Sequence, residues 1–153
     1  MATTTKRATK ATAKKPAASR TAAAKRVPAA DRAEVAAALK AVLLRHSKGL
    51  HVEDGPRGTS VSSTFEFRGR PMWLAGVQLA KSYVSYHLMP AYMFPDLLDG
   101  VSDELRARMQ GKACFNFRTV DPVLFRELEA LTRAGFARFR ADGPAHLAKF
   151  EKR

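Results

Sequence analysis

From Asp31 onward the apolar residues recur at helical spacing. Val35, Ala38, Leu39, Val42 and Leu43 fall on one face, and Asp31 with Glu34 ahead of them has the spacing of a capping box. This predicts an amphipathic helix that starts at Asp31 and ends near Gly49. Leu50 to Asp54 suits a short strand, and Gly55, Pro56, Arg57 and Gly58 a turn. From Thr59 to Arg68 the period changes to two, with Val61, Ser63, Phe65 and Phe67 on one face and Ser62, Thr64 and Glu66 on the other. Met72 to Ala80 and Ser82 to Met89 read as two further strands, rich in aromatic and branched side chains, which places Trp73 in the core by alternation.

Pro90 and Pro95 close the sheet run. Ser102 is an N-cap for a helix through Met109, with Asp103 and Glu104 in its first turn and Gly111 as its stop. Ala113 to Arg118 forms a fifth strand. Asp121 then caps a helix with Pro122 at its first position; it carries Leu124, Phe125, Leu128, Leu131 and Phe136 to about Ala141, where Gly143 and Pro144 break it. Helix, four strands, helix, strand, helix predicts an α+β domain, a largely antiparallel five-stranded sheet with helices packed on one face. The domain spans 28–153, with its core over about 31–141.

Residues 1–27 have a different character, Ala, Lys and Thr with almost no large apolar side chain, so ordering them would cost entropy without returning burial. A disordered tail is expected. The chain has 27 Lys plus Arg against 14 Asp plus Glu, net +13. Eight of those cations (Lys6, Arg7, Lys10, Lys14, Lys15, Arg20, Lys25, Arg26) and no acid lie in the tail, which leaves 19 cations against 14 acids, net +5, on the domain. Dispersed cations on a flexible chain can follow a nucleic-acid backbone with little base selectivity. The same composition suits a solubilising leader, and an acidic protein or anionic membrane would also attract it.

The tail has no apolar segment of the secretory type, and its mostly Lys cations form no amphipathic stripe of the transit-peptide type. The longest apolar run, Met72 to Ala80, is too short to span a membrane. Cys114 is the only cysteine, so no intramolecular disulfide can form, and a cytoplasmic location is expected. Phosphate loops and nucleophile elbows are absent from the sequence.

Strand alternation puts Tyr83, Ser85 and His87 on one face, and Lys112, Cys114 and Asn116 on one face of the fifth strand. If those strands are neighbours, Tyr83, Ser85, His87, Lys112 and Asn116 form one polar patch able to hold a small anionic ligand or a protein partner, with Lys112 supplying charge. The same residues also suit an ordinary solvated sheet face. Cys114 beside His87 raises nucleophilic chemistry, which needs a lowered thiol pKa and an oriented base; a buried inert cysteine is the simpler reading. His51 and Glu53, at i and i+2, are metal candidates that could chelate from one strand face; an exposed strand pair is the simpler reading.

The stretch from Lys81 to Arg140 resembles the YdhG-like domain family of small bacterial proteins. The resemblance is carried by Tyr83 to His87 (YVSYH), Gly111-Lys112 with Cys114-Phe115-Asn116-Phe117, and the long final helix, and with the preceding strands it covers Asp31 to Arg140. It implies a frataxin-like fold and, for one branch of the family, iron chaperoning. A frataxin-type iron site relies on a carboxylate ridge, whereas the first helix offers only Asp31 and Glu34, with Glu53 and Asp54 nearby. The basic tail lies outside the resemblance. Together these readings give a non-catalytic binding or chaperone-like module, with iron implied by the resemblance alone and no other cofactor; the alternative is a nucleic-acid-associated protein that binds through its tail.

Overall fold

The computed structural model describes residues 29–151; the tail cations and the expected disorder of 1–27 lie outside the described residues. The elements are α1 (Ala29–Leu44), β1 (His51–Gly55), β2 (Gly58–Phe67), β3 (Arg70–Leu79), β4 (Val84–Leu88), α2 (Met89–Met93), a 3-10 turn (Pro95–Leu98), α3 (Asp103–Arg106), β5 (Met109–Gln110), β6 (Cys114–Phe117) and α4 (Pro122–Glu151). The fold is α+β, with every strand pair antiparallel in the order β1-β2-β3-β4-β6-β5. Among the described residues no helix is long and apolar enough to cross a membrane.

Among the described residues the sheet has six strands rather than five. Ser102 does cap a helix, its Oγ accepting from the Leu105 N–H at 3.2 Å, but that helix is a single turn. Met109 and Gln110, expected at its end, instead pair with Phe115 and Cys114. Gly111, at φ 73°, turns the chain back, and the Arg108 carbonyl then accepts from the Asn116 N–H at 2.8 Å. The ladder satisfies a backbone group that a frayed helix end would leave to water.

α1 starts at Ala29, so Asp31 sits in the first turn, where its charge favours the helix dipole, rather than at the cap. Its periodic face is buried as the spacing predicts: Val35, Leu39, Val42 and Leu43 are all less than 5% exposed. They and the inward side of α4 cover one face of the sheet, whose own inward residues include Val61, Val77, Val84, Tyr86, Phe115 and Phe117. Phe117 meets Phe125 edge-on, with ring centroids 4.9 Å apart. The Thr132 hydroxyl donates to the Leu128 carbonyl at 2.8 Å, so the Tyr86 hydroxyl, 2.7 Å from Thr132 Oγ1, is the donor in that second bond. Burial holds the Tyr86 phenol far above its ordinary pKa, as a neutral group.

α4 begins as the sequence predicts, the Leu124 N–H donating to Asp121 Oδ1 at 3.1 Å, but it does not break at Gly143 and Pro144. Pro144 has no N–H for the Arg140 carbonyl, a loss of about 3 kcal/mol in a helix interior. Two features offset it. Gly143 lacks the Cβ that would collide with the pyrrolidine ring. The turns beyond bury Leu147 and set His146 edge-on against Phe94, with centroids 5.1 Å apart.

Candidate functional site

β4 and β6 are neighbours, in a register that places Ser85 opposite Asn116 and His87 opposite Cys114. Because Val84, Tyr86, Phe115 and Phe117 point into the core, Ser85, His87, Cys114 and Asn116 face the other way. β3 contributes Gln78 opposite Ser85, and β5 contributes Gln110 opposite Cys114. Gln78, Tyr83, Ser85, His87, Gln110, Cys114 and Asn116 line a depression of about 270 Å³. Asn116 Nδ2 donates to Gln110 Oε1 at 2.8 Å, which holds both amides in place.

Four of the five expected patch residues therefore come together, though Ser85 is only 7% exposed and stands at the floor. Lys112 does not join them. It lies in the turn between β5 and β6 rather than on a strand, so alternation does not govern it, and its Nζ sits 5.8 Å from the Tyr92 ring centroid on α2. The cations beside the depression are Arg108 and Arg118, which with Tyr83, Gln110 and Asn116 line an adjoining hollow of about 330 Å³. Among the described residues no carboxylate lines either hollow. The spacing does not reveal Arg108 and Gln110, since Arg108 falls in the helix expected through Met109 and Gln110 between its end and Gly111; Gly111 between two short β-compatible runs is the signal for a hairpin.

Cys114 Sγ lies 2.7 Å from His87 Nδ1. Burial pushes the thiol pKa up and the imidazole pKa down, so both directions favour a neutral thiol beside a neutral imidazole. An activated cysteine requires the opposite pair of shifts. His87 Nε2 is fully shielded and has no hydrogen-bond partner among the described residues, so none of them orients the imidazole as a third group.

The ring beside His87 is the indole of Trp73, tilted by 54° with centroids 5.7 Å apart. Trp73 was expected in the core. The ladder pairs Ser62 with Trp73 but Val61 with Ala75, leaving Leu74 as the extra residue of a bulge. The bulge switches Trp73 to the face opposite Ala75 and Val77. There it lies across Gly76, where an added Cβ would come within 3.1 Å of the indole and of the Thr59 carbonyl oxygen.

His51 and Glu53 are both exposed on edge strand β1. Among the described residues no three His, Cys, Asp or Glu side chains gather as a metal cluster. Asp54, the next acid along, is engaged by Lys40 and by the Thr59 hydroxyl, and these bonds hold its carboxyl below the usual range. This donor set does not fit the carboxylate-bound iron that the YdhG-like resemblance implies. The chain matches no family model, no curated protein and no solved structure.

Proposed function

We propose that the domain is a non-catalytic binding module whose outer sheet face receives a small anionic ligand. The observation that carries this reading is the polar row across β3, β4, β6 and β5, hollowed, flanked by Arg108 and Arg118 and lined, among the described residues, by no carboxylate. Amide and phenol groups on adjacent strands supply adaptable hydrogen bonds, and the guanidinium groups supply charge and planar donors. The neutral state of Cys114 and His87 argues for binding without covalent chemistry. The test is calorimetric titration of the full chain with inorganic phosphate and with succinate. An Arg108→Gln, Asn116→Ala variant should weaken binding at least five-fold while leaving the melting transition in place. Unchanged affinity in that variant, or binding of Fe(II) in preference to either anion, would reject the reading.

The eight tail cations, unaccompanied by any acid, favour a second reading in which the tail brings the domain to nucleic acid. Each phosphate neutralised contributes about 0.9 to the slope of log K against log salt, so the tail allows a slope of up to about 7. Deleting residues 1–27 should remove most of the slope and affinity for duplex DNA; equal salt slopes for the two chains would leave this reading without support.

A further inference from the structure

A separate cleft opens on the helix side of the sheet, where β2 runs past the end of α1. The turn from α1 to β1 (Lys48 to Leu50), the second half of β2, Leu74 and the middle of α4 enclose about 390 Å³. That volume lies within the range of small-molecule sites, roughly 300 to 1,000 Å³. Its walls are apolar: Leu50 and Phe65 are half-buried, while Leu74, Phe136 and Phe139 are 1%, 2% and 4% exposed. The Phe139 ring is held against its own helix at Gly143, where a Cβ would lie 2.5 Å from the ring, so any side chain at 143 would push the ring from its place.

The mouth is cationic. Lys48, Phe136 and Arg140 also line an adjoining hollow of about 210 Å³, with Arg45, His46 and Arg133 around it. Glu129 accepts from Arg45 at 2.7 Å and lies 3.1 Å from His46, which accounts for one of the four cations. Lys48, Arg133 and Arg140 form no ion pair among the described residues. Like charges gathered around an apolar opening repel one another, and a bound anion relieves that repulsion.

We propose that this cleft binds a small organic acid with an apolar body, the acyl or aryl part between Phe65, Leu74, Phe136 and Phe139 and the carboxylate at Lys48 and Arg140. Charge decides between occupants. The chain's own tail is cationic and is repelled by this mouth, and an inorganic anion would leave the apolar walls wet. A neutral hydrocarbon would leave the cations unanswered. The apolar carboxylate alone satisfies both halves.

The experiment uses the full chain, labelled with ¹⁵N and titrated with decanoate, decanol and sulfate below any micelle concentration. Decanoate should move the Gly49 and Thr64 amide signals saturably, and decanol should do so at least ten-fold more weakly. Sulfate should leave those amides in place. Lys48→Gln with Arg140→Gln, both exposed positions, should weaken decanoate at least ten-fold, whereas Arg57→Gln with Lys81→Gln, an equal charge change elsewhere, should not. Decanol binding as tightly as decanoate, shifts confined to tail amides, or equal weakening by the two double variants would each overturn the proposal. These amides are remote in the fold from Tyr83 and Asn116, so failure here and failure of the sheet-face reading are told apart residue by residue.

Discussion

The Tyr86–Thr132 bond lets the polar accounting of the core be tested directly. Both side chains are fully buried, and the proton order is fixed because Thr132 spends its only hydroxyl proton on the Leu128 carbonyl. Thr132→Val keeps the shape but leaves the Tyr86 hydroxyl without an acceptor or water, a penalty of about 1–3 kcal/mol. Tyr86→Phe removes the donor and leaves only an acceptor lone pair unused, which costs about 0.5–1.5 kcal/mol. With Phe at 86 no hydroxyl remains to strand, so adding Thr132→Val should then cost well under its single-variant value. The expected coupling is about 1–2 kcal/mol. Urea unfolding of the four chains, followed through the fluorescence of Trp73, the only tryptophan, measures it. A cost for Thr132→Val that is equal in both backgrounds within about 0.3 kcal/mol would refute the assigned proton order and the dry contact.

Phe115, fully buried, should lose about 3–5 kcal/mol on truncation to Ala, whereas His87→Ala on the other face should lose only about 1 kcal/mol; urea midpoints for the two variants compare them. His87 resists protonation when folded, so below about pH 6.5 the unfolded chain takes up a proton that the native state refuses, and stability falls as pH falls. Cys114 resists ionisation when folded, so stability also falls as pH rises above about 8.5, where the unfolded thiol ionises first. Each limb is limited to about 1.4 kcal/mol per pH unit, and His87→Gln should flatten the acid limb while Cys114→Ala flattens the alkaline one; superimposable curves for variants and parent would contradict the shifts.

Periodicity made most of the framework legible because it reports burial on regular elements. The helical face of α1, the alternation of β2 and the opposed faces of β4 and β6 follow from spacing alone, and the caps at Ser102 and Asp121 follow from side-chain chemistry. The neighbouring of β4 and β6, on which the patch depended, was a conditional that only the long-range register could settle. What spacing could not convey were departures from regularity. A two-residue strand such as β5 has no period, so Met109 reads as the end of a helix and Gln110 as the residue before its stop. Lys112 was counted as a strand residue, yet lies in a turn where alternation has no force. Arg108 and Arg118 flank the site through the hairpin and through the register past Phe117, neither of which is visible as a motif.

Two further departures, the bulge at Leu74 and the proline inside α4, lie beside the two proposed sites, and the association has a physical basis. A local rule is overridden only where tertiary contacts outweigh it, and such positions concentrate where a fold carries function. The bulge at Leu74 moves Trp73 from the core face to a place beside His87, on the face that carries the polar row. At the other site, Pro144 interrupts the hydrogen bonding of α4 one turn beyond Arg140, and both residues line the apolar cleft. Pro144→Ala would restore the bond to the Arg140 carbonyl and remove the clash of the ring with it, and should stabilise the domain. The fold keeps instead a Gly-Pro step that fits Phe139 closely against the helix and leaves the Arg140 carbonyl without its N–H partner beside the cationic mouth. One irregularity thus lines a hollow and the other stands beside one, in an otherwise close-packed two-layer domain.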